Sequence, residues 1–166
     1  YAPYVQRIQA DGTPAWTTDG INVGSTSGMS YGEPFLTADG LGGVIVAWYD
    51  DRDFGSIYAQ RLAADGTPQW PAQGVRVDAA VGNLKECALA ADGYGGAIVF
   101  WRISGGSGQI MVAQHLAAWG ASLWAAGGVV VGDGAALSVP VAVPDGLGGG
   151  IVAFSATVWS VPTLSY

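Results

Sequence analysis

The stretch Asp39-Gly40-Leu41-Gly42-Gly43 followed by Val44-Ile45-Val46-Ala47-Trp48 is spelled three times. It returns as Asp92-Gly93-Tyr94-Gly95-Gly96 before Ala97-Ile98-Val99-Phe100-Trp101, and as Asp145-Gly146-Leu147-Gly148-Gly149 before Gly150-Ile151-Val152-Ala153-Phe154. The offsets are 92 − 39 = 53 and 145 − 92 = 53. A Gly-rich turn feeding a short apolar run predicts a tight hairpin and then a strand buried on both faces. Repetition at a fixed period means like units, whose apolar faces are buried by their neighbours.

A second element precedes the first in each unit. Tyr4-Val5-Gln6-Arg7-Ile8 matches Tyr58-Ala59-Gln60-Arg61-Leu62 and Val112-Ala113-Gln114-His115-Leu116, each 54 residues on. A turn ending in Trp16, Trp70 or Trp124 follows, then Gly20 to Val23, Gly74 to Val77 or Gly128 to Val131. A short strand before the Gly-rich turn completes the unit: Pro34-Phe35-Leu36, Ala88-Leu89-Ala90 and Val139-Pro140-Val141. No helical apolar period is present. Four strands per unit at this period predict an all-β, β-propeller-type repeat of three blade-equivalents, each of four antiparallel strands. A single domain spans 1–166, with units at roughly 1–51, 52–104 and 105–158 and a tail at 159–166. A β-helix would repeat at a shorter period, and a sandwich would not need register-matched copies.

These motifs resemble bacterial secreted β-propeller repeat proteins. Their units read roughly Asp-Gly-x-Gly-Gly-aliphatic-Trp, then Tyr-Ala-Gln-Arg, then Asp-Gly-x-x-x-Trp. The likeness runs from Tyr4 to Phe154 and implies a fold and an extracellular or cell-surface location, not an activity. The last turn is also similar to the Asp-box of sialidase-type propellers, with its Gly one place early. The copy from Met111 departs most. Trp119 replaces the turn Asp, His115 the Arg, and Phe154 the Trp of its predecessors, and divergent terminal repeats often form caps or interfaces.

In blade order the chain begins at a third strand and its last clear strand is a second one. Two complete sheets are therefore expected between half-blades, with the tail from Val158 as one further strand. Three blades do not close a ring, since propellers carry about four to eight. A four-stranded face of roughly 19 by 17 Å covers on the order of 300 Å². Covering it with its mate removes about 600 Å², worth upwards of ~15 kcal/mol, against an association cost of ~4–15 kcal/mol. Self-association is expected, as a closed six-bladed dimer or a head-to-tail filament. The missing blades of a longer chain are the alternative. The chain opens on Tyr1, which fits a processed or excised segment.

Charge narrows the partners. The net charge is −7 and Lys85 is the only lysine, so no nucleic-acid partner is expected: little here could replace condensed counterions. Much of the acidity belongs to turns, because seven of the eleven Asp directly precede a Gly and Asp-Gly suits tight turns. Cys87 is the only cysteine, so no internal disulfide forms, and its apolar strand context reads as core. No apolar run is long enough for membrane insertion as a helix.

Candidate sites are few. Asp50, Asp51 and Asp53 put three carboxylates within four residues, a possible Ca²⁺ ligand set, although Arg52 among them favours a surface ion pair in a solvated loop. Otherwise no cofactor is expected. Tyr31, Tyr94, Trp119 and Trp159 lie outside the shared pattern, where rings can stack on a sugar face or pad contacts between blades or chains. Trp16, Trp70, Trp124, Trp48, Trp101, Phe154, Gly43, Gly96 and Gly149 are read as structural repeat positions. No catalytic residue is assigned. His115 is the lone histidine and sits where its copies have Arg, Glu33 and Glu86 align near successive first strands, and Gly42-Gly43 lacks the Lys and helix of a phosphate loop. The expected function is that of a non-enzymatic extracellular structural or interaction module. A glycan-binding lectin-like propeller and a fragment of a larger propeller enzyme, such as a glycoside hydrolase, are the alternatives.

Overall fold

A computed structural model of the chain describes residues 2–24, 32–53, 55–78, 83–105 and 108–157. Among them there is no helix; the chain is all-β, in several antiparallel sheets. Strands β1 (Tyr4–Val5) and β2 (Ile21–Asn22) form a first, two-stranded sheet. Next come β3 (Phe35–Ala38), β4 (Val44–Asp50), β5 (Ser56–Leu62) and β6 (Val75–Arg76), hydrogen-bonded in that order. The pattern repeats with β7 (Asn83–Ala91), β8 (Ala97–Gly105), β9 (Gly108–Leu116) and β10 (Val129–Gly134). Two small sheets follow, β11 (Ala136–Leu137) with β14 (Ala156–Thr157), and β12 (Val141–Pro144) with β13 (Gly150–Ala153).

The period of the sequence is kept in the pairing. Ala38 opposes Val44, Ala91 opposes Ala97 and Pro144 opposes Gly150, so the three hairpins share one register. Val44 opposes Leu62 and Ala97 opposes Leu116 in the next ladder of each complete sheet.

Alternating side chains then send the two faces of each sheet to different neighbours. From β4 and β5, Ile45, Ala47, Ile57 and Ala59 pack with Leu89, Val99, Trp101, Val112 and Leu116 of the following sheet. Their alternates Val46, Trp48, Tyr58 and Leu62 pack with Val5 and Val23 of the preceding one. Ile98, Phe100 and Ala113 meet Ala142 and Val152 beyond. Strand β7 accordingly touches β3 and β4 on one side and β12 and β13 on the other. Among the described residues the sheets form an open series and close no ring.

Several elements differ from expectation. The first strand of the third unit is β12, two residues later than Val139–Val141, because register with Gly150 is set by the Asp145 turn. In the expected element Gly20 to Val23, strand covers only Ile21–Asn22. Asp133-Gly134 is not a turn but part of β10, opposite Ile110 and Gln109. Strand β1 ends at Val5 rather than Ile8, since its only partner is β2, whereas β5 is paired along its length by β4. The β11–β14 pairs, outside the strands expected for the third unit, repeat the outer pairs Asn83–Ser104 and Leu84–Ile103 of the β7–β8 ladder 53 residues on. The tail strand expected from Val158, together with Tyr31 and Trp159, lies outside the described residues.

Candidate functional site

The Asp of each Gly-rich turn is an internal cap. Asp39 Oδ1 accepts from the Leu41 N–H at 2.8 Å and the Gly43 N–H at 2.7 Å. Asp92 does the same for Tyr94 and Gly96, and Asp145 for Leu147 and Gly149. Gly40 and Gly42 take φ of +78° and +88°, which other residues adopt only under strain. Gly43 is required for a different reason: a Cβ there would collide with the Leu62 carbonyl, as one at Gly96 would with that of Leu116.

The second carboxylate oxygen reaches to the third strand of the same sheet. Asp39 Oδ2 pairs with Arg61 Nε at 2.9 Å, and Asp92 Oδ2 with His115 Nε2 at 3.0 Å, so the histidine stands in the arginine's place. Burial alone would raise the Asp39 carboxyl, but the Leu41 N–H, Arg61 and the Gly43 N–H together hold it below 3.8. Burial opposes ionisation at Asp92 too, and is outweighed by His115 and the N–H groups of Tyr94 and Gly96. Asp145 caps its turn but is exposed, and no cation pairs with it among the described residues.

The glutamine directly before each of these Arg or His positions on the third strand organises the turn that follows. Gln60 Oε1 accepts from the N–H groups of Arg61 and Trp70, while its amide donates to the Pro71 carbonyl at 2.8 Å. Gln6 and Gln114 repeat the arrangement around Trp16 and Trp124.

Links between units repeat as well. Trp16 Nε1 donates to the Ala64 carbonyl at 3.2 Å and Trp70 Nε1 to that of Ala118 at 2.9 Å, 48 residues on in each case. Arg7 Nη1 and Arg61 Nη1 reach the same two carbonyls. The third indole, Trp124, meets no such carbonyl among the described residues and packs edge-on against His115 at 5.8 Å.

Trp48 and Trp101 are fully buried where the repeat places them. Trp48 Nε1 donates to Asp50 Oδ2 at 3.2 Å, but Trp101 has Ile103 two places on, and its N–H is left without a partner. Phe154 is half-buried and lies against Gly132.

Of the three acids at and after the end of β4, Asp50 and Asp53 are drawn to separate partners. Asp50 is buried, pairs with Arg52 at 2.8 Å and takes the Trp48 N–H. Asp53 accepts the Tyr58 hydroxyl, over whose ring the Arg52 guanidinium sits at 3.6 Å. Burial and that bond push the Tyr58 phenol up to about 12. Among the described residues no cluster of three His, Cys, Asp or Glu is arranged to hold a metal ion. The ion pair expected at Arg52 is thus present, though it is enclosed rather than solvated.

Tyr94 and Trp119 are both exposed, on turns following β7 and β9 at the same end of their sheet, and the Tyr94 ring lies beside Gly148 of the next turn. Leu41 and Leu147 occupy the position of Tyr94 in their own turns and are exposed too. Sequence reasoning noted the three glutamines only as part of a repeat. Their role needed the turn after each third strand to fold back onto it, which the pattern does not spell.

Exposed apolar surface gathers at the two ends of the series. Leu36, Ala38 and Val44 of the β3–β4 hairpin, with Val5, Gln6 and Trp16, line a groove of about 310 Å³. At the other end Val141, Val143 and Ile151 project from β12 and β13 into solvent. Comparison of the chain with protein-family models, with curated proteins and with solved structures finds no match.

Proposed function

We propose that this chain is a non-enzymatic structural and interaction module. It is a β-propeller-type array of three four-stranded blade-equivalents that acts outside the cell or at its surface by assembling with copies of itself. The observation that carries the reading is apolar surface left in water at both ends of the series: Ile8 and Leu36 beside the two-stranded β1–β2 sheet, and Val141, Val143 and Ile151 on the two-stranded β12–β13 sheet. In the four-stranded sheets the inner strands β4, β5, β8 and β9 are covered on both faces over their apolar runs. Patches of a few hundred Å² rimmed by polar groups mark interaction sites. Sedimentation velocity tests it directly. Species of two or more chains that grow with concentration are expected, and a monomer that persists at high concentration would rule the assembly out.

A second reading, glycan binding, has its own support in the exposed rings of Tyr94 and Trp119 at one end of the β7–β10 sheet. Rigid aromatics give contact area at small entropic cost. Quenching of tryptophan fluorescence by sugars, abolished by Trp119→Ala, would favour it; a silent glycan array would not.

A further inference from the structure

Resting on the self-assembly reading, we infer that the end sheets of two copies join edge to edge: β13 of one pairs with β1 of the next, completing a sheet in the order β12-β13-β1-β2. Among the described residues, strand β13 has β12 on one edge and no neighbour on the other, and β1 likewise has only β2. In the complete sheets the second and third strands pair Val44 with Leu62, and Ala97 with Leu116. Carrying the repeat offsets forward sets Gly150 opposite Ile8 of the second copy, Ile151 opposite Arg7, Val152 opposite Gln6 and Ala153 opposite Val5.

Five features agree with that one placement. Ile8 is 60% exposed where its equivalents Leu62 and Leu116 are 0%, and Ile151 is 59% exposed where Ile45 and Ile98 are 0% and 5%. Leu36 is 62% exposed where Leu89 is 6%, and the projecting Val141, Val143 and Ile151 face the groove beside Leu36 once the sheet is completed. The exposed Asp145 falls beside Arg7 of the second copy, as Asp39 stands beside Arg61 and Asp92 beside His115. Trp124 falls beside the Ala10 carbonyl, the counterpart of Ala64 and Ala118. The turn glycines agree too. Gly66 packs on the Trp16 indole and Gly120 on that of Trp70, while Gly12, which would cover Trp124, has open space around it. A second copy supplies every one of these complements at once. Two copies joined reciprocally would give four complete and two shared sheets, a ring within the usual propeller range.

The test uses chains with one cysteine added to each. Cys87 is buried and its thiol is pushed up to about 12, so it stays out of the reaction. A153C mixed with V5C is expected to form a disulfide-linked pair on mild oxidation, and A153C mixed with Y4C, one place out of register and on the opposite face, is not. Ile151→Asp, at a position already in water, should leave the fold intact and abolish the multimer in sedimentation. Multimers that persist in Ile151→Asp, or that never give the V5C–A153C link, overturn this pairing and leave self-assembly standing. A chain that stays monomeric overturns both readings and assigns the open edges to some other segment or partner.

Discussion

Gln60 has no charge and performs no chemistry, yet it is among the most enclosed side chains in the molecule. Its amide closes the link between the third strand and the turn that follows, accepting two main-chain N–H groups and donating to a carbonyl. Truncation strands those groups in the interior, at about 1–3 kcal/mol for each one left unmade. Gln60→Ala should therefore cost about 2–4 kcal/mol, or roughly 5–15 °C in Tm at this chain length. Gln6 makes the same bonds on the half-covered end sheet, where water can replace the lost partner. Its truncation should cost no more than about 1 kcal/mol. Thermal melts of the two variants check the difference. Equal losses would mean that the network, rather than its burial, sets the energy.

At the scale of the element, the Asp-Gly-x-Gly-Gly turn was legible because its chemistry is local. The positive φ glycines and the Asp side chain bonding its own backbone are dictated by five consecutive residues. What lay beyond the sequence was the reach of Asp39 across to Arg61, since nothing in the spacing of 22 residues announces that pairing. The pair is enclosed, so removing one partner leaves a buried charge unmatched. Asp39→Ala should cost about 3–5 kcal/mol, and Asp145→Ala, on the open third turn, about 1 kcal/mol.

Acid provides a second measure of the same turns. The folded carboxyls of Asp39 and Asp92 lie below 3.8, so their contribution is fully present above that value and is lost as the pH falls through the depressed folded values. Burial raises Asp78, which works in the opposite sense: its ionised form costs stability at neutral pH, and acidification relieves that cost. Denaturant titrations above and below pH 3.8 should show wild type losing stability on acidification and Asp39→Asn losing less. A parallel decline in both would remove the turn carboxylate from the acid response.

For the whole molecule, the repeat made the all-β class and the alternating burial of β4 and β8 readable, because a strand apolar on both faces must lie between two layers. The fit of one end to the other was not readable. It depends on which strand edges remain unpaired, and β1 is shorter than its sequence copies because no second neighbour extends it. The balance of forces at such a junction has a distinguishing sign. Each copy carries −7, so approaching copies repel over distances of about 30 Å at 0.01 M salt but only about 8 Å at physiological ionic strength. Apolar coverage is insensitive to this screening, and the exposed Asp145–Arg7 contact would contribute about 0–1 kcal/mol at most. Association should therefore strengthen as salt rises from low to physiological levels, read as a fall in the midpoint concentration for multimer formation in sedimentation velocity. Weakening over the same range would transfer the driving force from the valine and isoleucine faces to paired charges.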